Sequence, residues 1–163
     1  RYPDVLINMI EAAKKLNLKV YIFGSGPSEE LLINYVNKNN LNSLVSFFGR
    51  YEPNDLPLIY SVSNFVWAAY PTNSFNARYA ISNKFHECNY FQVVPLFSKK
   101  TQMSKHLKKS GCKSFISFDE YDVEDIVLNI KSFTNDNFIR YEKISYFEDY
   151  SFHFEQIFNE KLV

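Results

Sequence analysis

The stretch of this sequence best equipped for chemistry is Ser82-Asn83-Lys84-Phe85-His86-Glu87. Ser82 has the side chain of a helix N-cap, so a helix is expected to start beside it and run through Phe91. Lys84 then lies in the first turn, where a cation works against the helix dipole by about 0.3–1 kcal/mol. A bound diphosphate would offset that cost, because Lys84 and the unpaired first-turn N–H groups around Asn83 would converge on it. Glu87 follows three positions later, on the same helical face. One carboxylate can accept hydrogen bonds from two neighbouring hydroxyls, so Lys84 toward phosphate and Glu87 toward a ribose diol would span a nucleotide. The same spacing describes a plain surface ion pair worth about 0.2–0.5 kcal/mol, and spacing alone favours that plainer reading. His86 is turned roughly 100° from Glu87 on an ideal helix and reads as a packing or surface residue.

Gly24-Ser25-Gly26-Pro27 is the second candidate, a turn between an apolar run and a helical pattern. Glycines there let backbone N–H groups approach an anion at a helix N-terminus. The turn lacks the third glycine of a dinucleotide fingerprint and the Lys-Ser/Thr of a phosphate-binding loop, and it reads equally well as a tight turn with no ligand. Asn76 and Arg78 stand in a long polar segment from Pro71 to Ile81; Arg78 is a candidate phosphate contact, against an ordinary solvated arginine. From Lys99 to Lys113 there are six lysines and His106 without an acid, a stretch that suits either anionic lipid headgroups or a solvated helix face. The acids Asp119, Glu120, Asp122, Glu124 and Asp125 read as helix capping and solubility.

Positioning these residues falls to an alternation of helices and strands. Val5, Leu6, Met9, Ile10, Ala13 and Leu16 recur at helical spacing, and Leu18 to Phe23 is an apolar run closed by Gly24. A helix from Ser28 to Asn40 and a strand from Leu44 to Phe48, closed by Gly49, repeat the pattern. A short helix capped by Asn54 or Asp55 runs to Tyr60, and Phe65 to Ala69 reads as strand. Val93 to Phe97 is the next strand, Thr101 opens a helix that Gly111 ends in the left-handed conformation, and Phe115 to Phe118 is the last strand. Asp122 and Asp125 resemble a capping box for a helix to Phe133; further helices are expected over 136–147 and 151–162. Such alternation requires a parallel sheet covered on both faces, the doubly wound α/β class, with its ligand crevice at the loops that start at Gly24, Gly49, Ala69 and Ser98.

The chain has 163 residues, suited to a single domain spanning 1–163. Its 18 basic and 18 acidic residues cancel, which excludes a general nucleic-acid binder. With 16 Phe, 12 Tyr and only 4 Gly, a core built from large rings is expected. Cys88 and Cys112 fit no zinc pattern and read as free thiols of a reduced compartment; no Asp-x-Asp motif calls for a metal, and no run is long enough for a membrane span.

Gly24-Ser-Gly-Pro-Ser-Glu-Glu30, Val45-Ser-Phe-Phe-Gly49, Ile81-Ser-Asn-Lys-Phe-His-Glu87 and Val93-Val-Pro-Leu-Phe97, in that order, resemble the C-terminal, donor-binding half of retaining GT-B glycosyltransferases of the group 1 kind, over nearly the whole chain. Those proteins typically read G-x-G-P-x-E, V-x-F-x-G and P-N-K-x-x-E before a buried strand. The resemblance implies a Rossmann-like domain that holds a UDP- or GDP-sugar and donates its glycosyl group to a glycan or lipid-linked acceptor. It implies Glu87 on the ribose, and Lys84 and the Gly24-Ser25-Gly26 turn about the diphosphate, with no cofactor or metal; Asn83 at the helix start and Arg78 in the loop are the further diphosphate candidates. It further implies a piece of a longer bacterial-style enzyme of polysaccharide biosynthesis, without its first strand and its N-terminal acceptor-binding domain and inactive alone, cytoplasmic or at the inner membrane face through Lys99 to Lys113. Three positions depart from the pattern: Tyr79 stands where an earlier glutamate is usual, Gln92 replaces a glycine, and the next proline is displaced to Pro95. The alternatives are a non-catalytic regulatory or protein-interaction module that has lost the donor, and a nucleotide-sugar epimerase on the same architecture.

Overall fold

The computed structural model describes residues 2–135. The expected helices at 136–147 and 151–162 lie outside that range. Helix α1 (Pro3–Leu16) begins on a proline, whose missing N–H costs nothing in a first turn, and ends on Asn17 at φ 53°. Strand β1 (Val20–Phe23), helix α2 (Glu29–Lys38) and strand β2 (Val45–Gly49) follow. A short 3-10 turn (Pro53–Asp55) leads into α3 (Leu56–Ser61). Asp55 occupies the N-cap position of α3, one of the two residues expected there, but its carboxylate caps nothing in that helix and instead accepts the N–H of Glu52, which caps the 3-10 turn, at 2.8 Å. Strand β3 (Phe65–Trp67) precedes α4 (Phe75–Tyr79), a one-turn helix inside the segment expected to be loop. Then come α5 (Asn83–Phe91), β4 (Val94–Ser98), α6 (Gln102–Lys109), β5 (Ile116–Phe118) and α7 (Val123–Asn135).

Caps set several of these boundaries. Ser82 accepts the Lys84 N–H at 3.2 Å and Thr101 accepts the Ser104 N–H at 3.1 Å, each starting a helix where the sequence places one. At α7, Asp122 accepts from Glu124 and Asp125 N–H groups, but the Asp125 carboxylate turns to the Asp119 N–H and Lys99, so the reciprocal half of the capping box does not form. Gly111 is left-handed at φ 75°, and so is Gln92 at φ 58°, closing α5 without the glycine that such a position favours.

Parallel pairing is present throughout, in two separate sheets: β1 with β2, and β3-β4-β5. The single sheet expected from the alternation is therefore interrupted between β1 and β3. Those strands border one cavity of about 210 Å³, and no hydrogen bond joins them. Helices cover both faces of the three-stranded sheet. Leu96 packs with Ala12 of α1 and Ile126 and Ile130 of α7, whereas its neighbour Phe97 packs with Phe85 of α5 and Leu107 of α6. That two-sided burial is why β4 reads as an unbroken apolar run. A second cluster joins Ile10 and Ala13 to Val20, Leu32, Val36 and Val45. Ala12 of α1 packs in the first cluster and Ile10 and Ala13 in the second, so α1 bridges the two sheets.

Among the described residues the core is mostly aliphatic, where the composition led to the expectation of large rings. Phe118, Phe97, Phe85, Phe115 and Tyr60 are buried, but Phe48, Phe75, Tyr79 and Tyr90 are more than half exposed. Cys88 is buried, Cys112 is partly so, and both are free thiols. No helix among the described residues is long and apolar enough to cross a membrane.

Candidate functional site

A cleft of about 780 Å³ opens at the carboxyl end of β3. Its walls come from the start of α1, Tyr51 beyond β2, the Ala69–Tyr70 turn, α4 and the first turn of α5. Lys84 and Glu87 both line it, as do Asn83 and Asn76. The capping of α5 by Ser82 explains the placement, since it fixes where the helix starts and so which side of it carries Lys84 and Glu87.

The two charged groups meet each other. Lys84 Nζ lies 2.7 Å from Glu87 Oε2, with side chains 27% and 25% exposed. Tyr60, almost fully buried in the helix beneath, donates its O–H to the same oxygen at 2.5 Å. Tyr51 accepts from Lys84 at 3.4 Å, and the ammonium stands 5.7 and 6.0 Å from the ring centres of Tyr51 and Tyr60. Both protein donors thus fall on Oε2, and Oε1 has no protein partner among the described residues. This is more than the bare surface pair the spacing describes: two tyrosines hold the pair against the wall of a cleft.

Electrostatics keep both groups charged. Burial alone would lower the lysine, but the hydrogen bond and charge of Glu87 outweigh it and hold Lys84 above its ordinary value. Burial would likewise raise the carboxyl of Glu87, yet the bonds from Lys84 and Tyr60 and the lysine charge bring it below the usual range. Tyr60 is pushed far up, first by burial and then by its bond to Glu87, so it stays a donor. Burial also lifts the Cys88 thiol to about 12, which leaves no nucleophilic thiolate beside Glu87.

Other expected contacts lie elsewhere. Gly24, Ser25 and Gly26 do not line the cleft. Gly24 adopts φ 114°, which itself requires glycine; its N–H meets Gly49 O, and Ser25 Oγ accepts from Arg50 Nε at 2.9 Å. The turn is therefore accounted for by backbone conformation and its link to the end of β2. Arg78 also lies off the cleft lining and donates from Nε to Thr72 O, bracing the loop. Tyr79 is 53% exposed and outside the lining. In the basic stretch, Lys99 reaches Asp119 and Asp125 and Lys100 reaches Asp119, so acids distant in sequence neutralise part of it.

Sequence reasoning missed Tyr51 and Tyr60, because nothing in local spacing ties positions 51 and 60 to position 87. It also misread Glu120. That side chain is fully buried and accepts the N–H and hydroxyl of Thr72 at 2.7 and 2.5 Å, while its own carbonyl accepts from Asn8 at 3.1 Å. Glu120 thereby ties the cleft loop to α1 and to the start of α7. Among the described residues no group of three or more His, Cys, Asp and Glu could hold a metal. No protein-family model, curated protein or solved structure matches the chain.

Proposed function

We propose that the cleft binds the nucleoside diphosphate part of a sugar nucleotide, and that the chain is the donor half of a retaining glycosyltransferase with a Rossmann-like, doubly wound sheet. One observation carries the reading: at the carboxyl end of a parallel sheet, a cation in the first turn of α5 and a carboxylate one turn on share a single cleft wall. Lys84, with the helix N-terminus at Asn83, meets the diphosphate. Glu87 Oε1, the oxygen its neighbours leave open, accepts from the ribose hydroxyls. During transfer the leaving diphosphate gains charge, and a fixed ammonium stabilises that charge best where water is excluded. Glu87 positions the donor and takes no proton. The glycan or lipid-linked acceptor would be bound by a separate domain.

Calorimetric titration with UDP, GDP and their sugars tests the reading. Saturable binding that Glu87→Ala abolishes supports it, and no binding of any of these supports a module that keeps the architecture without the donor.

A further inference from the structure

The charges of this chain cancel in total but are unevenly spread. Residues 56–118, from α3 to β5, carry eight cations and a single acid, Glu87. Glu87 is held by Lys84, while Lys99 and Lys100 meet Asp119 and Asp125. Four lysines on α6 and just after it, Lys105, Lys108, Lys109 and Lys113, are exposed and form no ion pair among the described residues. The buried side of α6 is Ser104 and Leu107, so Lys105 and Lys109, one turn apart, point away from the protein. Helix α6 packs beside α4. There, Asn76, Ala77 and Ala80 line the cleft, whereas Phe75 and Tyr79 project elsewhere and pack on each other with ring centres 4.5 Å apart. Phe75 is 73% exposed, and Tyr79 and Ile81 are each more than half exposed. Apolar side chains left in water side by side mark a binding surface.

We infer that α4 and α6 dock the protein on an anionic membrane surface. The lysines of α6 meet lipid phosphates, and Phe75, Tyr79 and Ile81 enter the boundary between headgroups and acyl chains. The combination selects this partner. Cations alone suit any polyanion, nucleic acid included. A nucleic acid stacks its bases on open ring faces, but Phe75 and Tyr79 pack against each other and Ile81 has no ring. The lipid boundary takes aromatic and branched aliphatic side chains alike and needs no free ring face. Ile81 also lines the cleft that holds Lys84 and Glu87, so the cleft opens beside the docked edge. An acceptor carried in the same lipid surface would reach it directly, a consequence that rests on the donor reading; the docking does not.

Sedimentation of the 163-residue chain with lipid vesicles, without nucleotide, tests the docking. Vesicles of equal parts phosphatidylcholine and phosphatidylglycerol should carry the chain down in about 0.1 M salt, and about 1 M salt should release it. Phosphatidylcholine alone should not carry it down. Lys105→Ala combined with Lys109→Ala should weaken partitioning about 30-fold. Phe75→Ser combined with Tyr79→Ser should weaken it about tenfold or more and leave the salt dependence unchanged. All four positions are exposed, and a circular dichroism spectrum like that of wild type confirms that each variant folds. No sedimentation of the wild-type chain with the anionic vesicles overturns the inference, as does equal sedimentation with phosphatidylcholine alone. Full binding by both double variants also overturns it, because another surface then holds the lipid. Tighter binding of a single-stranded oligonucleotide than of vesicles, lost in the aromatic variant, gives the surface to nucleic acid instead. Should the aromatic variant not fold, the lysine variant, confined to one exposed helix face, decides by itself.

Discussion

Glu87 and Lys84 can be separated by giving the protein the two halves of its proposed ligand apart. Glu87→Gln keeps the shape of the side chain and removes its charge. Hydrogen bonds to a charged acceptor contribute about 1.5–3 kcal/mol, and the side chain is 25% exposed, so the lower part of that range applies. A loss of about 1.5–2 kcal/mol weakens nucleoside binding roughly 10- to 30-fold. The effect on pyrophosphate should have the opposite sign. In the wild-type protein Lys84 is held at 2.7 Å by the carboxylate, and freeing it leaves a cation in a helical first turn with no anion nearby. Pyrophosphate should therefore bind Glu87→Gln at least as tightly as wild type, whereas Lys84→Met should lose it and keep most nucleoside affinity. Titration of the three proteins with uridine or guanosine, with pyrophosphate and with the intact diphosphate reads this directly. Equal weakening of both probes in Glu87→Gln would refute the reasoning, since the pair would then act only as a structural unit.

The same pair fixes a pH window. Glu87 lies below its ordinary value in the folded state, so its contribution is complete above about pH 4.3 and disappears as pH falls through the lowered value. Lys84 lies above its ordinary value, so its contribution is complete below about pH 10.4 and disappears as pH rises through the raised one. Stability owed to the pair should be flat between those limits in urea unfolding. Tyr60→Phe removes one of two donors to Glu87 Oε2, so it should cost about 1–2 kcal/mol and move the acid limb to higher pH; an unmoved limb counts against the Tyr60 bond. Glu120→Ala strands the buried N–H of Thr72 and opens a void, and should cost about 2 kcal/mol or more in the same assay. Gln92→Gly should raise stability by about 0.5–1 kcal/mol, because Gln92 closes α5 at φ 58°; a lower melting temperature would contradict that account.

What the sequence made legible is what local chemistry decides. Ser82 and Thr101 start helices through a bond to a backbone two or three residues away, and Gly24 and Gly49 end strands by conformations that side chains resist, so each could be read from its neighbours alone. Where a competing partner lies far along the chain, local reading fails. Asp125 leaves the Asp122 box for Lys99, and Glu120 abandons solvent for Thr72, because folding brings those groups within reach. The i,i+3 pair at Lys84 and Glu87 shows both sides of the boundary. Its spacing is a local fact that fits an idle ion pair and a ligand grip equally. The choice turns on which oxygen of the carboxylate the protein itself occupies, and Tyr60, twenty-seven positions away, occupies the same one as Lys84. Doubling the donors on Oε2 restrains the group, and the proposed reading assigns the other oxygen, Oε1, to the ligand, which the Glu87→Gln and Lys84→Met titrations test.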